Sequence, residues 1–310
     1  MLRSCLGLRH RRIVYLVSGS VSQLWRFPVK SMGGERVSVS VITEETGVLG
    51  DRGYALLDVA TGRIASAKHP RNWAALLGYK ARVIERDGER YPVVTIELPD
   101  GTQVRTDAAD VDRVLSASIG REVKLITTPP AQATYDEYKP ELDKGEGEPL
   151  AVGAPEGTFF DFASLHILTT GTLAKLAALR PESRFEIARF RPNVVVDTGD
   201  ATFHENDWIG HELAIGDEVR AYVTFQCPRC VMTTLAQGDL PADPNILKTA
   251  TANALFFPLL AKKLPSVGIY ATVVRGGTIK PGDAVRVEGT SALRRLGTYA
   301  RAVKRAVRRR

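Results

Sequence analysis

Residues 21–126 carry the short alternating pattern that is typical of antiparallel strands. Apolar and polar residues alternate with a period of two in RVSVSVITE, which starts at Arg36. Further on, ARVIERDGERYPVVTIELPDGTQVRTD contains strand-like runs interrupted by Asp87-Gly88 and Asp100-Gly101, and such pairs are strong hairpin signals. The pattern predicts a small antiparallel sheet or barrel between residues 21 and 126.

The next segment, residues 127–157, has no such period. TTPPAQATYDEYKPELDKGEGEPLAVGAPEG is rich in proline, glycine and acidic residues, which predicts a linker or a long surface loop. A domain boundary is therefore expected there.

Residues 158–288 mix one helical segment with β-branched runs. GTLAKLAALRP predicts a helix that ends before Pro181. The runs NVVVDTG, ELAIGDEVRAYVTFQ and VGIYATVVRGGTIKPGDAVRV predict strands joined by turn glycines. The fold class predicted for the whole chain is mixed α/β and predominantly β.

The two ends change the meaning of the net charge of +7. A basic extension at residues 1–20 contributes four arginines, and a basic tail or helix at residues 289–310 contributes eight arginines or lysines, with no acid in either. Without them the formal charge falls from +7 to −5, so nucleic-acid binding by the central part is not expected. The tail is expected to be solvated, and the alternative is a basic amphipathic helix that contacts RNA, anionic lipid or an acidic partner protein.

Targeting signals are weak. Residues 1–17 lack a clear cleavage pattern, and we interpret them as an overextended start codon rather than a transit segment. The apolar run ALFFPLLA, residues 254–261, is far shorter than the roughly 18 residues of a membrane span. A cytoplasmic protein is predicted.

Three cysteines are too few for a disulfide framework, so a reducing compartment is expected. Cys227 and Cys230 stand in FQCPRCVMTT. A zinc site would need a second ligand pair, and a redox pair would open a helix, whereas VMTTL lacks helical periodicity. Two inert buried thiols would leave Arg229 between them unexplained, because a guanidinium favours the thiolate that binds soft metals or carries sulfur.

Further cationic positions could hold an anion. Arg191 and Asn193 flank a proline in RFRPNVVV, while LWRFPVKSMGGE places Lys30 and Ser31 before a Gly-Gly turn. Arg52 follows Gly50 in GDRGYALLD. A guanidinium grips phosphate through two parallel hydrogen bonds, although none of these motifs has the glycine spacing of a Walker loop.

Taken together, these motifs resemble a known family. LWRFPVKSMGGE and TGVLGDRGYALLD resemble the N-terminal β-barrel domain that precedes MOSC domains, and RFRPNVVVD, WIGHELAIGD, CPRCVMTT and VGIYATVVRGGTIKPGD resemble the MOSC domain itself. The resemblance runs from about residue 21 to residue 287. It implies an N-terminal barrel-like β domain, residues 21–126, packed on a β-barrel MOSC domain, residues 158–288.

The same resemblance implies a molybdenum cofactor, Mo-molybdopterin, and a set of residues that hold it. Cys230 matches the family's metal ligand and its catalytic position, and Cys227 is expected to be a packed residue. The matched cofactor-binding positions are Lys30, Ser31, Arg52, Ser164, Arg191, Asn193, Pro228, Arg229 and Tyr270. The family's domain association also includes pyridoxal phosphate binding.

The activity implied is two-electron reduction of small N-hydroxylated compounds, of the amidoxime or hydroxylamine type. Cys230 is the last cysteine, so the chain cannot carry the four ligands of a ferredoxin cluster after it, and electrons must come from a separate ferredoxin, flavoprotein or haem protein. In family members that resemble amidoxime reductases, Val-Asp-Pro follows the Thr-Thr pair, whereas this chain continues as TTLAQGDLPADPNILKT. This sequence difference affects the expected substrate preference. The alternative function is a sulfur carrier or cofactor-handling protein with a persulfide on Cys230.

Overall fold

The computed structural model describes residues 17–130, 134–137, 150–153 and 158–288. Both the expected start-codon extension before residue 17 and the basic tail from residue 289 lie outside the described residues. No described helix is both long and apolar enough to cross a membrane.

Strands dominate the described part of the chain. They are β1 (Val17–Arg26), β2 (Glu35–Val37), β3 (Ser40–Thr43), β4 (Gly47–Val48), β5 (Ala55–Asp58), β6 (Lys80–Glu85), β7 (Val93–Glu97), β8 (Gln103–Arg105), β9 (Val123–Ile126), β10 (Thr134–Glu137), β11 (Leu150–Gly153), β12 (Leu165–Thr169), β13 (Val194–Asp197), β14 (Glu212–Ile215), β15 (Val219–Pro228), β16 (Ala254–Phe257), β17 (Lys262–Arg275), β18 (Gly277–Ile279) and β19 (Ala284–Glu288).

Helices are short and lie around the strands. The α-helices are α1 (Pro70–Trp73), α2 (Val111–Ile119), α3 (Thr170–Leu179), α4 (Ile187–Phe190) and α5 (Asn245–Ala250). Short 3₁₀ helices occupy Ala74–Gly78, His204–Trp208, Val231–Thr234, Thr251–Asn253 and Pro258–Leu260. Helix α3 confirms the sequence prediction: the side chain of Thr169 caps its start by accepting a hydrogen bond from the Thr172 amide, and the helix stops before Pro181.

A closed barrel forms the centre of the molecule. Seven of the described strands follow one another in the order β12, β13, β1, β19, β14, β15 and β17, and pairing of β12 with β17 closes the ring. Its interior is filled by aliphatic side chains such as Leu165, Ile167, Val194 and Leu213. Pairing of β12 with β13 is parallel, while the other barrel pairs are antiparallel. The predominantly β fold class is confirmed.

One barrel strand comes from the N-terminal part of the chain. Strand β1 pairs with β13 on one side and with β19 on the other, so Val17–Arg26 is an integral part of the barrel. Residues 17–20 belong to this strand, which corrects the assignment of residues 1–20 to an extension outside the fold. Long-range pairing decides this, because period-two alternation does not reveal which strand is the partner.

Smaller sheets pack outside the barrel. Strands β6, β7 and β8 form the meander that the two Asp-Gly pairs predict, and β5 pairs with β9. A second core cluster lies under them, built around Met32, Trp73, Tyr79 and Leu115.

The segment expected to be a linker contains ordered structure. Within residues 127–157, β10 and β11 form an antiparallel pair, and Tyr135 on β10 is 1% exposed. Tyr135 packs with Ala55, Ile64 and Phe159 in a small core cluster. Buried contacts, not local periodicity, hold this pair of strands against the rest of the protein.

Candidate functional site

A cleft of about 580 Å³, open solvent included, lies between the N-terminal segments and the barrel. Strand ends and loops supply its walls: the turn after β1, the loop before β12, the end of α4, the turn after β15 and the middle of β17. Its lining residues are Lys30, Ser31, Arg52, Ser66, Asp161, Phe162, Ala163, His166, Phe190, Arg191, Asn193, Arg229, Met232 and Tyr270.

Three lining residues have left-handed backbone conformations without being glycine. Ser31, Arg52 and Arg191 have φ angles of 66°, 50° and 55°. Such conformations cost on the order of 1–3 kcal/mol each for a residue with a side chain, and they persist where the surrounding structure imposes them. Three of the five described non-glycine residues with positive φ angles therefore line this cleft, and such positions are typical of functional sites.

Lys30 lies at one end of the cleft in an ionic cluster. Its Nζ donates to Asp161 Oδ1 at 2.6 Å and to the carbonyl of Phe159 at 2.9 Å, and Lys68 Nζ lies 3.3 Å from Asp161 Oδ2. Both ammonium groups sit over the ring of Tyr135, 4.9 and 4.8 Å from its centroid. Burial lowers the pKa of Lys30. Burial alone would raise the pKa of Asp161, but attraction to Lys30 and Lys68 holds it well below its usual range.

Arg191 is buried in the middle of the cleft. One Nη donates to the Met32 carbonyl at 2.5 Å, the guanidinium lies 4.2 Å from the centroid of the Phe27 ring, and the other Nη is buried without a hydrogen-bond partner. Burial, with the nearby charge of Arg52, lowers the pKa of Arg191 to about 9. A buried guanidinium N–H without an acceptor is costly, so this group is suited to an anionic ligand.

Asn193 and Ser31 shape the cleft through the backbone. The Asn193 amide oxygen accepts from the His166 backbone N–H at 3.1 Å, and its Nδ2 lies 3.5 Å from the carbonyl of Trp25. The Ser31 hydroxyl accepts from the Ala67 N–H at 3.0 Å. Both residues therefore link separate segments of the cleft wall.

At the other end, Arg229 meets the buried thiol of Cys227. Its Nη1 donates to Cys227 Sγ at 2.7 Å and its Nη2 to the Phe190 carbonyl at 2.9 Å, while its buried Nε has no partner. Burial raises the pKa of the Cys227 thiol, but Arg229 and His166 outweigh it and lower that pKa to about 6. Tyr270, on the same side, has its pKa raised by burial and by the Cys227 charge.

Cys230 lies beside this pair, in the 3₁₀ turn Val231–Thr234, for which it is the N-cap. Its carbonyl accepts from the Thr233 N–H and hydroxyl at 3.2 and 3.1 Å. The side chain is partly exposed and packs beside Ala67 and Met232. The prediction that VMTTL would not be helical is wrong for this single turn, which is held by hydrogen bonds that β-branched residues do not prevent.

The turn and the loop after it are supported from below by Arg189, which is fully buried. Its guanidinium donates to the carbonyls of Thr233, Leu235 and Pro241 at 3.2, 3.2 and 2.7 Å, and to that of Arg184 at 2.9 Å. This buried guanidinium therefore anchors the loop that departs from the amidoxime-reductase motif.

The structure brings most of the sequence-predicted residues to the cleft wall. Lys30, Ser31, Arg52, Arg191, Asn193, Arg229 and Tyr270 line it, whereas Ser164, Pro228 and Cys230 are adjacent to lining residues in the chain but are not part of the wall. Asp161, His166, Ser66 and Phe162 were not predicted. Asp161 is 131 residues away from Lys30 in the sequence, so no local motif reveals that these two side chains form an ion pair.

The donor set fits an anionic, sulfur-rich group. Four cationic side chains line the cleft, two of them guanidinium groups with a buried N–H that has no acceptor, and a partly exposed cysteine lies at the end occupied by Arg229. Phosphate and dithiolate ligands need such donors, and a soft metal needs a thiolate.

Known proteins match both parts of the chain. The MOSC domain model matches residues 155–286, and the MOSC N-terminal beta barrel domain model matches residues 18–119. Mitochondrial amidoxime reducing component 2 of Bos taurus is 28% identical over 302 residues, 89% of this chain and 85% of that protein. Mitochondrial amidoxime-reducing component 1 of Homo sapiens is 26% identical over 301 residues, 91% of this chain and 86% of that protein.

Solved structures align more loosely. The YUAD protein from Bacillus subtilis has a TM-score of 0.38 and 11% identity, with 88% of this chain and 97% of that chain covered. YiiM from Escherichia coli has a TM-score of 0.31 and 14% identity, with 46% and 66% covered. The two domain matches, in the same order as the motifs along the chain, show that this chain belongs to the proteins in which a MOSC N-terminal beta barrel domain precedes a MOSC domain.

Proposed function

We propose that the protein is a molybdenum-cofactor-dependent oxidoreductase that reduces small N-hydroxylated compounds. The observation that carries the proposal is the pair of buried arginines, Arg191 and Arg229, whose unpartnered N–H groups belong to the cleft wall. Cys230 follows Arg229 directly in the chain. The similarity to proteins named amidoxime reducing components supports the same activity.

The cleft residues divide into two groups by chemistry. Lys30, Ser31, Arg52, Arg191 and Asn193 would hold the pterin and its phosphate, with Ser164 at the nearby loop. Cys230 would be the metal ligand. Arg229, Tyr270 and the backbone at Pro228 would enclose the metal end. When bound, the cofactor supplies two-electron oxygen-atom chemistry that no side chain can perform.

The protein's own contribution is electrostatic and geometric. Arg229 favours the thiolate of a neighbouring cysteine, because the guanidinium is buried and its charge is therefore poorly screened. Arg191 would neutralise negative charge on the bound ligand, because its buried N–H has no acceptor among the described residues. Reduction of an N–OH group to N–H consumes two electrons and two protons and releases water, so the substrate must reach the metal end of the cleft together with a proton source.

Electrons are proposed to come from a separate acidic donor protein. A cytoplasmic location remains a prediction, and the amidoxime reducing components of Bos taurus and Homo sapiens carry the word mitochondrial in their names.

The test is metal and pterin content per chain. Wild type, Cys230→Ser and Cys5→Ser are purified from a host that makes the cofactor, with the Cys5 variant as a matched control for loss of a thiol. Near one molybdenum and one pterin per chain in wild type and Cys5→Ser, with molybdenum lost in Cys230→Ser, is the expected result. Turnover of an aryl amidoxime with reduced methyl viologen should follow the metal content. Metal-free and pterin-free wild type would contradict the proposal.

The partly exposed thiol of Cys230 also suits a second function, a sulfur carrier. In that case, metal-free protein incubated with a cysteine desulfurase and L-cysteine would take the sulfane sulfur of the desulfurase persulfide onto the Cys230 thiolate, while the desulfurase thiol is released, and would pass that sulfur to an acceptor thiol. Persulfide labelling followed by peptide mass spectrometry distinguishes the two functions.

A further inference from the structure

The hairpin formed by β16 and β17 ends in a surface that is both apolar and basic. Phe256 is 58% exposed and Leu260 is 39% exposed at its tip. Lys262 and Lys263 are also exposed, and residues 254–264 contain no acidic side chain. Exposed aromatic and aliphatic side chains grouped with like charges indicate a surface that contacts another molecule. We call Phe256, Leu260, Lys262 and Lys263 the hairpin tip.

The base of this hairpin is fixed to the metal end of the cleft. Ala254 pairs with Pro265, and the Pro265 carbonyl accepts a hydrogen bond from the Arg229 N–H at 2.8 Å. Closer to the tip of the hairpin, Gln226 Nε2 donates to the Phe256 carbonyl at 2.8 Å. Three residues of strand, about 10 Å at 3.4 Å per residue, separate Pro265 from Lys262.

The inner face of the hairpin reaches the cleft through aromatic side chains. Phe257 faces inward because neighbouring strand residues point to opposite faces, and its ring lies 5.6 Å from that of Phe162. The Phe162 ring stacks on Tyr270 at 5.4 Å, and both Phe162 and Tyr270 line the cleft. Phe257, next to the hairpin tip in the chain, is thus the outer end of a packed aromatic row whose inner end is the cleft wall.

We propose that the hairpin tip is the docking surface for the acidic electron-donor protein, an inference that rests on the proposed function. Lys263 lies opposite Phe256 on the outer face of the hairpin, and Lys262, opposite Phe257, is exposed at the start of β17. Positive charge of this kind beside exposed apolar side chains matches a partner whose redox group lies in an acidic rim around a small apolar patch. Electron-transfer complexes are small and transient, so a surface of this size is sufficient. Contact at the hairpin tip, whose base is bonded to the Arg229 backbone, brings the donor towards the metal end of the cleft, which favours a redox protein over a membrane as the occupant.

The experiment compares two variants with a matched control. The first variant carries Lys262→Glu with Lys263→Glu, and the second carries Phe256→Ser with Leu260→Ser. The control carries Arg82→Glu with Ile84→Ser on β6, where both side chains are exposed. Thermal unfolding of each protein establishes that it is folded.

Two acidic donors are used as probes: a reduced cytochrome b5 and a reduced plant-type ferredoxin. Binding is measured from the ¹⁵N chemical shifts of the labelled donor, and turnover of an aryl amidoxime is measured with each donor and with reduced methyl viologen. We expect at least one donor to bind wild type and the control. Charge reversal should weaken its binding at least tenfold and lower its kcat/KM at least tenfold, and the apolar variant should lower both at least threefold. Viologen-supported turnover should not change.

Other outcomes overturn the proposal. These are donor binding that is equal in all variants, no binding of either donor to wild type at low salt, or an equal loss of turnover with viologen. Sedimentation with anionic vesicles that requires Phe256, without an effect on donor binding, would assign the tip to a lipid surface instead. Donor binding that depends on the tip without any viologen-supported turnover would refute the proposed function and leave the docking surface in place.

Discussion

Arg191 is the residue whose surroundings are most specific to a ligand. Its left-handed backbone, its contact with the Phe27 ring and its unpartnered N–H point it at the centre of the cleft. We expect Arg191→Lys to keep the charge but lose the planar fork, which a point charge does not replace. Loss of one charged hydrogen bond, about 1.5–3 kcal/mol, should lower pterin retention about tenfold or more after dialysis.

The matched control for that experiment is Arg180→Lys, which changes a guanidinium outside the cleft that binds Glu182 and Thr249. Pterin is measured per chain by fluorescence after oxidation. Full pterin retention in Arg191→Lys would show that the fork is not needed.

Cys227 gives a prediction about pH. Its folded pKa, about 6, lies below the value of 9.0 of an ordinary thiol, so between these values the unfolded chain binds more protons than the folded one. The stabilisation from the thiolate is therefore complete above pH 9 and is lost as the pH falls towards 6. Urea unfolding of wild type and Cys227→Ser under reducing conditions should show a stability difference that grows from pH 6 to pH 9. A difference that does not change with pH would contradict the thiolate assignment.

At the residue scale, part of the candidate site could be predicted from the sequence. Cationic residues at the cleft were found because they stand in motifs, and Cys227 is buried as expected. Its contact with Arg229 could not be inferred, because spacing of two residues on a strand end does not specify a side-chain rotamer. Asp161 and His166 have no local signal, since their roles depend on chain segments that meet only in the folded protein.

Among the elements, the loop after Cys230 depends most on a single side chain. Arg189 donates to four carbonyls, and Arg189→Met would leave these acceptors without their charged donor. We expect a loss of about 3 kcal/mol or more in the free energy of unfolding and faster proteolysis within residues 233–241. Arg184→Met is the control, because its ion pair with Asp239 is exposed and should contribute less than about 1 kcal/mol. Equal effects of the two substitutions would show that Arg189 does not anchor the loop.

The β10–β11 hairpin has a comparable dependence on Tyr135. Tyr135→Ala would remove a buried ring that lies under Lys30 and Lys68, and we expect it to destabilise the protein by about 3–4 kcal/mol. Tyr135→Phe keeps the ring and loses the hydroxyl that accepts from Lys68 Nζ, so its cost should be about 1 kcal/mol. Denaturant unfolding measures both, and a small cost for the alanine variant would mean that the hairpin packs only loosely.

Elements set by local chemistry were predictable. The Asp-Gly pairs identified the β6–β7–β8 meander, and Pro181 identified the end of α3. The β10–β11 pair was not, because its strands lie in a stretch of prolines, glycines and acids whose composition resembles a loop, and its stability comes from Tyr135 packing against Ile64 and Phe159.

For the whole molecule, the barrel unites the two matched domains. Fragment 158–310 lacks β1, and without it the edges of β13 and β19 are left unpaired. We expect this fragment alone to aggregate, since unpaired edges associate with other strands. Refolding it together with fragment 1–157 should restore a soluble complex with one cooperative unfolding transition. A monomeric fragment 158–310 with a cooperative transition of its own would show that the barrel closes without β1.

Closure of the barrel by its first strand also affects how the protein is made. Strand β1 must wait for β19, which begins 267 residues later at Ala284. At the usual pace of translation this interval is on the order of 10–50 s. During it, residues 17–20 of β1 lack the partner strand β19, and Tyr270 and Arg229 have not yet joined the cleft. The nascent chain therefore leaves the ribosome with an exposed sheet edge, and chaperones that shield such edges during synthesis should determine how much of it reaches the folded state.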